Sequence, residues 1–196
     1  FPEFSRVVVE ALRQPIEDRK ITVARAKDTS DFPAHFLLIT TSNPCPCGYF
    51  GSTKECSCMP AQIVKYQKRV SGPILDRIDL YIDVEEVAHD KILSGGTTAK
   101  GLEHRKTVAN VRAKQLERNG KLNSEVSNKA LRAIASMSPD TEQFFNQAAE
   151  RMKLSARGYI RALRVARTIA DIEESASVEI PHISEALQYR KRAVEI

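Results

Sequence analysis

Two CxC pairs, Cys45-x-Cys47 and Cys56-x-Cys58, lie in one short stretch containing Gly48 and Gly51, and the 196-residue sequence has no other cysteine. Four thiolates this close in sequence can surround one tetrahedral zinc ion, with the glycines allowing the loop to fold around it. A single intervening residue constrains each chelate more than the CxxC spacing of zinc ribbons does. A reversible disulfide and four ordinary thiols therefore compete with the zinc reading. The clustering excludes a disulfide framework spanning the fold. The histidines, His35, His89, His104 and His182, are scattered without metal or triad spacing. No Ser-His-Asp arrangement or paired-carboxylate motif is visible, so hydrolysis other than that of a nucleotide has no support.

Three further positions could act on phosphate. Arg77 lies in GPILDRIDL, and its guanidinium is permanently charged and presents a rigid fork to phosphate oxygens; a surface salt bridge to Asp76 or Asp79 is the plain alternative. Arg157, in Ser155-Ala-Arg157, stands at the start of a helical pattern. Asn43 follows the apolar run FLLITT, where a side-chain amide at the carboxyl end of a strand can orient a water, although Asn-Pro is also a turn former. Arg69 is a lesser candidate for the same interface as Arg77. Arg19, Lys20, Arg25 and Lys27 crowd a hairpin pattern that suits a salt-sensitive, sequence-blind contact with a nucleic-acid backbone, or simply an exposed hairpin.

These residues need elements to hold them. Val8, Val9, Leu12 and Ile16 recur at helical spacing behind a possible Ser5 N-cap, and Pro15 should disturb or end that helix. Lys20 to Arg25 alternates and pairs with Phe32 to Phe36 across a polar stretch. Phe36 to Thr41 reads as a strand covered on both faces, Gln62 to Val70 as a basic amphipathic helix, and Leu80 to Val84 as a second strand. SGGTTAKG, residues 94–101, has linker composition and sets a boundary between domains 1–93 and 102–196. Beyond it the pattern is helical over 102–119, 127–137, 140–152, 156–175 and 181–191. Gly120 is placed as a C-cap, Ser127 and Ser155 as N-caps, and Pro139 and Pro181 in first turns. In the 156–175 helix, Arg161, Arg164 and Arg167 read as solvated or subunit-facing surface, with a DNA-binding stripe as the alternative. The expected fold is α/β followed by an all-helical domain.

Composition adds limits. Thirty Lys and Arg against 25 Asp and Glu give a formal charge of +5, compatible with phosphate contact but equally with ordinary solvated helices. No run of 18 apolar residues and no signal-peptide pattern occurs, so the expectation is a cytoplasmic protein without a membrane partner.

The segment NPCPCGYFGSTKECSCMPAQIVKYQKRVSGPILDRID, the upstream PEFSRVVVEALRQPIED and the downstream LSARGYIRALRVARTIADIE together resemble the magnesium-chelatase-like AAA+ ATPases, in the same order and over nearly the whole chain. The cysteine segment favours the branch that holds competence-associated DNA branch-migration helicases over magnesium-chelatase motor subunits. The resemblance implies a P-loop NTPase core with a β-hairpin and Cys-rich insertion, then a helical lid. It also implies ATP and magnesium as cofactors, self-association into a ring, a hexamer, and DNA as partner. Asn43 would be sensor 1, Arg77 an arginine finger acting in trans, Arg157 sensor 2, and Arg19, Lys20, Arg25 and Lys27 the pre-sensor hairpin. No G-x-x-x-x-G-K-[ST] run occurs in the sequence, and in the family PEFS follows the acidic pair that holds magnesium. The expectation is a C-terminal half that does not hydrolyse ATP by itself. A non-enzymatic, zinc-supported nucleic-acid-binding module is the reading from a different class.

Overall fold

A computed structural model describes residues 1–25, 28–84 and 98–190. They divide into two compact units, one running from Phe1 to Ile78 and the other starting at Asp79.

In the first unit, the expected opening helix is two short ones, α1 (Arg6–Ala11) and α2 (Arg13–Asp18), separated at Leu12. Ser5 caps α1, its Oγ accepting from the Val8 N–H at 3.4 Å. Pro15 does not end the helix. It sits in the first turn of α2, where a missing N–H costs no intrahelical bond. α2 closes at Arg19, whose φ of 56° is left-handed.

The chain then enters an antiparallel hairpin of β1 (Lys20–Arg25) and β2 (Asp28–Pro33), in register Ile21↔Phe32 and Arg25↔Asp28. The polar residues expected to separate the strands, Asp28 to Asp31, are themselves paired in β2. Of the polar stretch, Lys27 lies outside the described residues.

Phe36 to Thr41 is not a strand. Leu37 and Ile39 are 84% and 80% exposed, and no neighbouring strand among the described residues offers its ladder groups. An apolar run can read as a buried strand only where a sheet exists to receive it, since the pattern describes burial and not pairing. Leu80 to Val84 is likewise irregular, with Val84 86% exposed. The two-stranded hairpin is thus the only sheet among the described residues.

α3 (Pro60–Gln67) and α4 (Gly72–Leu75) complete this unit. A small core of Val9, Val70 and Ile74, flanked by Phe1 and Leu75, ties α1 to the segment that precedes Arg77.

The second unit is helical, as periodicity predicts. α5 (Thr98–Asn119) opens inside the stretch whose composition suggested a linker; residues 94–97 of that stretch lie outside the described residues. α6 (Asn128–Ala135), α7 (Pro139–Arg151), α8 (Ala156–Ile172) and α9 (Ile180–Gln188) follow. Gly120, at φ 65°, follows α5, and the Ser127 and Ser155 hydroxyls accept from the Ala130 and Gly158 N–H groups at 3.3 and 3.0 Å. The core gathers Leu131, Phe145, Leu163, Ala166, Val178 and Ile183 around α8, with Phe145 stacked on Tyr159 at 4.0 Å.

One part of α8 differs from the sequence reading. Arg167 is not surface but 1% exposed. Its guanidinium donates to Asp171 Oδ1 at 2.9 Å, Ser175 O at 2.6 Å and Ala176 O at 2.9 Å. Asp171 also accepts from Arg118 Nη1 at 2.5 Å and Asn123 Nδ2 at 2.8 Å. The i,i+4 spacing of Arg167 and Asp171, on the face that also carries Leu163 and Ala170, was the available signal.

Burial pushes the Asp171 carboxyl up, but the Arg118 and Asn123 hydrogen bonds and the Arg167 charge outweigh it and hold the carboxyl below its ordinary range. Because the folded pKa is depressed, this contribution is present above the ordinary Asp value of about 3.9 and is lost as pH falls through the folded value. Asp171→Ala leaves Arg167 buried without its carboxylate, so it is expected to cost about 3–5 kcal/mol in equilibrium denaturation. A loss below about 1 kcal/mol would show that water reaches Arg167 when the carboxylate is removed.

Candidate functional site

The cysteine loop leaves the exposed Asn43 and turns at once. Gly48 donates its N–H to Cys45 O at 3.1 Å, and Gly48 and Gly51 have φ of 86° and 80°, left-handed values that side-chain-bearing residues rarely adopt. Gln67 Nε2 on α3 donates to Pro44 O at 3.0 Å and so moors the start of the loop to a helix. The result is that all four Sγ atoms lie within 4.8 Å of one another, with Cys45 buried and Cys47, Cys56 and Cys58 partly so. The separations are 3.3 Å for Cys45–Cys47, 3.7 Å for Cys45–Cys56 and 3.5 Å for Cys47–Cys56.

A tetrahedral zinc with Zn–S bonds of about 2.3 Å requires sulfur–sulfur edges of about 3.8 Å, so the edges among Cys45, Cys47 and Cys56 are near or slightly below that length, and Cys58, within 4.8 Å of the others, is in reach as the fourth ligand. The electrostatics point the same way. The Tyr49 backbone N–H favours the Cys47 thiolate and brings its pKa down to about 6. At Cys56 the Cys58 N–H acts in the same sense, yet desolvation and the neighbouring sulfurs prevail and push the thiol up to about 12. Cys58 is raised as well. Four sulfurs cannot all become thiolates at this distance unless a cation compensates them.

Arg77 follows α4 and is 7% exposed. Neither Asp76 nor Asp79 holds it. Its Nη1 donates to Pro73 O at 2.6 Å, and its Nη2 pairs with Glu17 at the end of α2. Nothing in the local pattern foretold Glu17, because the two residues are 60 positions apart. Arg69 is half exposed, donating to Glu3 at 3.3 Å and lying 5.5 Å from the Tyr66 ring centroid.

Arg157 stands exposed in the first turn of α8, two residues after the Ser155 cap and at the positive end of the helix dipole. Arg161, one turn further, pairs with Asp79, and Arg164 donates to Val126 O at 2.8 Å. Those two arginines hold the helical unit together and are not simply solvated.

Of the hairpin cations, Lys20 donates to Asp31 at 2.8 Å, and that hydrogen bond raises its pKa while lowering that of Asp31. Arg19 caps α2 through its backbone, and Arg25 stands opposite Asp28. The face of the hairpin formed by Ile21, Val23 and Phe32 is apolar and exposed.

The model of the family described as "Magnesium chelatase, subunit ChlI" matches residues 1–92, and that of "Magnesium chelatase, subunit ChlI C-terminal" matches residues 99–190. Competence protein ComM of Haemophilus influenzae is 38% identical over 190 residues, covering 96% of this chain and 37% of ComM. The YifB proteins of Escherichia coli and Salmonella typhimurium are 32% and 34% identical, each over 193 residues, again 96% of this chain and 37% of theirs. The chain therefore spans little more than a third of the length of these curated relatives. No helix among the described residues is long and apolar enough to cross a membrane.

Proposed function

The chain belongs to the magnesium-chelatase family, and from that premise we propose that it is the nucleotide-sensing and coupling portion of an AAA+ ATPase whose full-length form drives DNA branch migration in recombination or natural transformation. The observation that carries this reading is the 38% identity to a competence protein through 96% of the chain. The geometry supports it at Arg157 and Arg77, whereas the strand end on which the role of Asn43 was argued does not form. Arg157 sits at a helix N-terminus, where a guanidinium and backbone N–H groups can meet the same phosphate. Arg77 lies beside a carboxylate that a neighbour's phosphates can displace as its partner. Asn43 is exposed at the mouth of the cysteine loop.

In the assembled protein, ATP and magnesium are bound by the P-loop and acidic pair of the family, which this sequence does not contain. This chain supplies Arg157 to sense phosphate from its own subunit and Arg77 to stabilise transition-state charge in an adjacent one. Action in trans requires a closed head-to-tail ring, for which a hexamer is the proposed size. Cys45, Cys47, Cys56 and Cys58 hold one structural zinc ion that stiffens the loop next to Asn43. The domain division proposed for the motor is an α/β portion over 1–93 and a lid over 102–196. The soluble, DNA-directed reading places the protein in the cytoplasm.

The test is a labelled four-way DNA junction incubated with the full-length protein. The junction is expected to resolve into two duplexes with ATP and to stay intact with a non-hydrolysable analogue. An intact junction despite steady ATP turnover would transfer the protein to the chelatase-motor reading that the family description also permits.

A further inference from the structure

The surface of α5 is built unlike that of an ordinary solvated helix. Among those of its residues whose burial is described, from Lys100 to Asn119, it buries only Val111 and Gln115, while Lys114 and Arg118 reach the rest of the helical unit through Glu174 at 2.6 Å and Asp171 at 2.5 Å. At 3.6 residues per turn, the opposite side of the helix carries Arg112, Arg105, Leu116, Ala109, Leu102, Ala113 and Lys106 within roughly a third of its circumference. Every one of these is exposed.

Solvated helix faces usually interleave opposite charges at i,i+3 and i,i+4. This sector contains no acid. Arg105, Lys106 and Arg112 make no ion pair among the described residues; Ala109 and Ala113 beside them are small, and Leu102 and Leu116 add exposed apolar surface to the same sector. It also contains no Asn or Gln that could read a base edge. Arg105 and Arg112 are separated by about 10.5 Å of helix rise, enough to engage separate phosphates of a backbone carrying one charge per roughly 1.7 Å of duplex axis. The hairpin is less suited to this task, since Lys20 and Arg25 each face an aspartate there.

We propose that the outward face of α5, through Arg105, Lys106 and Arg112, is a sequence-independent binding surface for the phosphate backbone of duplex DNA. The inference rests on the DNA reading of the protein but assigns it to a surface outside the nucleotide-sensing residues. Such a surface grips without reading sequence, which suits a motor that must pass every base pair.

The test uses the full-length protein, a labelled duplex of mixed sequence and anisotropy titrations between about 50 and 200 mM salt. The triple variant R105Q/K106Q/R112Q keeps good helix formers, so far-UV circular dichroism is expected to be unchanged. Three lost phosphate contacts should lower the slope of log K against log salt by about 2.7, so the affinity deficit of the variant shrinks roughly 40-fold across that salt range. The single variant R112Q should lower the slope by about 0.9. Unchanged slope and affinity in both variants, while the unsubstituted protein binds tightly, would overturn this assignment and leave the DNA reading standing. Absence of duplex binding by the unsubstituted protein would overturn both.

Discussion

Replacing Arg77 by Ala in the full-length protein is expected to lower ATP turnover by about 10³–10⁵, with nucleotide binding retained. A finger acts on charge that develops in the transition state, so its loss is expressed in turnover and not in ground-state affinity. Folding should tolerate the change. Its partner Glu17 is 39% exposed and can be hydrated once the guanidinium is gone, and the other contact is the Pro73 carbonyl near the surface end of α4. Arg77→Lys keeps the charge but not the planar fork, and is expected to recover only a small part of the activity.

The Glu17 contact gives this prediction its second arm. In the isolated chain the carboxylate occupies the guanidinium, so a neighbour's phosphates must compete with it. Glu17→Gln weakens that competitor and is expected to leave turnover equal to or above that of the unsubstituted protein. A fall of more than about tenfold would instead assign Glu17 a role in holding Arg77 in its working position.

The second large effect concerns metal. Protein purified without chelator is expected to contain about one zinc per chain, and Cys45→Ser/Cys56→Ser to contain less than about one fifth of that, by elemental analysis. Sulfur separations of 3.3 to 3.7 Å among Cys45, Cys47 and Cys56 lie near the edges, about 3.8 Å, of a zinc–thiolate tetrahedron. Because every ligand must lose its proton, zinc affinity should rise with pH. Protons compete with the ion for every sulfur, most readily for Cys56, whose thiol is pushed up by desolvation and the neighbouring sulfurs, so acidification should lower the zinc content. A metal-free protein with two fewer titratable thiols would establish the disulfide reading in its place.

The helical unit was largely legible in the sequence because its helices carry local stop and start signals, the exception being α5, which begins at Thr98 inside the stretch that reads as a linker. Ser127 and Ser155 are caps, Pro139 stands at a first turn, and Leu163, Ala166 and Ala170 fall at core spacing. These are local signals, and helices are local structures. The first unit was less legible for the same reason. FLLITT has the composition of a buried strand, but a strand depends on partners that the segment itself does not encode, and among the described residues it finds none. The helix expected to be disturbed or ended by Pro15 is interrupted, but at Leu12, three residues earlier, so that Pro15 itself falls in the first turn of α2.

The site follows this division. The cysteines were visible as a group because their ligand geometry is closed within one loop. The partners of the arginines were not. Arg77 meets Glu17 from a distant helix, while Arg167 turns inward to a carboxylate and two backbone carbonyls that only the folded unit brings together. Charge alone could not separate these two arginines from Arg105 and Arg112, which face outward on α5.

The account depends most on Arg77 completing a site that belongs to another subunit. Full-length Arg77→Ala protein, inactive alone, should be mixed with an equally inactive variant of the P-loop lysine, and ATP turnover followed as the ratio changes. Turnover that reappears and peaks near equal amounts is the predicted result, since mixed rings then pair an intact finger with an intact phosphate grip. A mixture as inactive as its components, under conditions where subunits demonstrably exchange, would contradict action in trans.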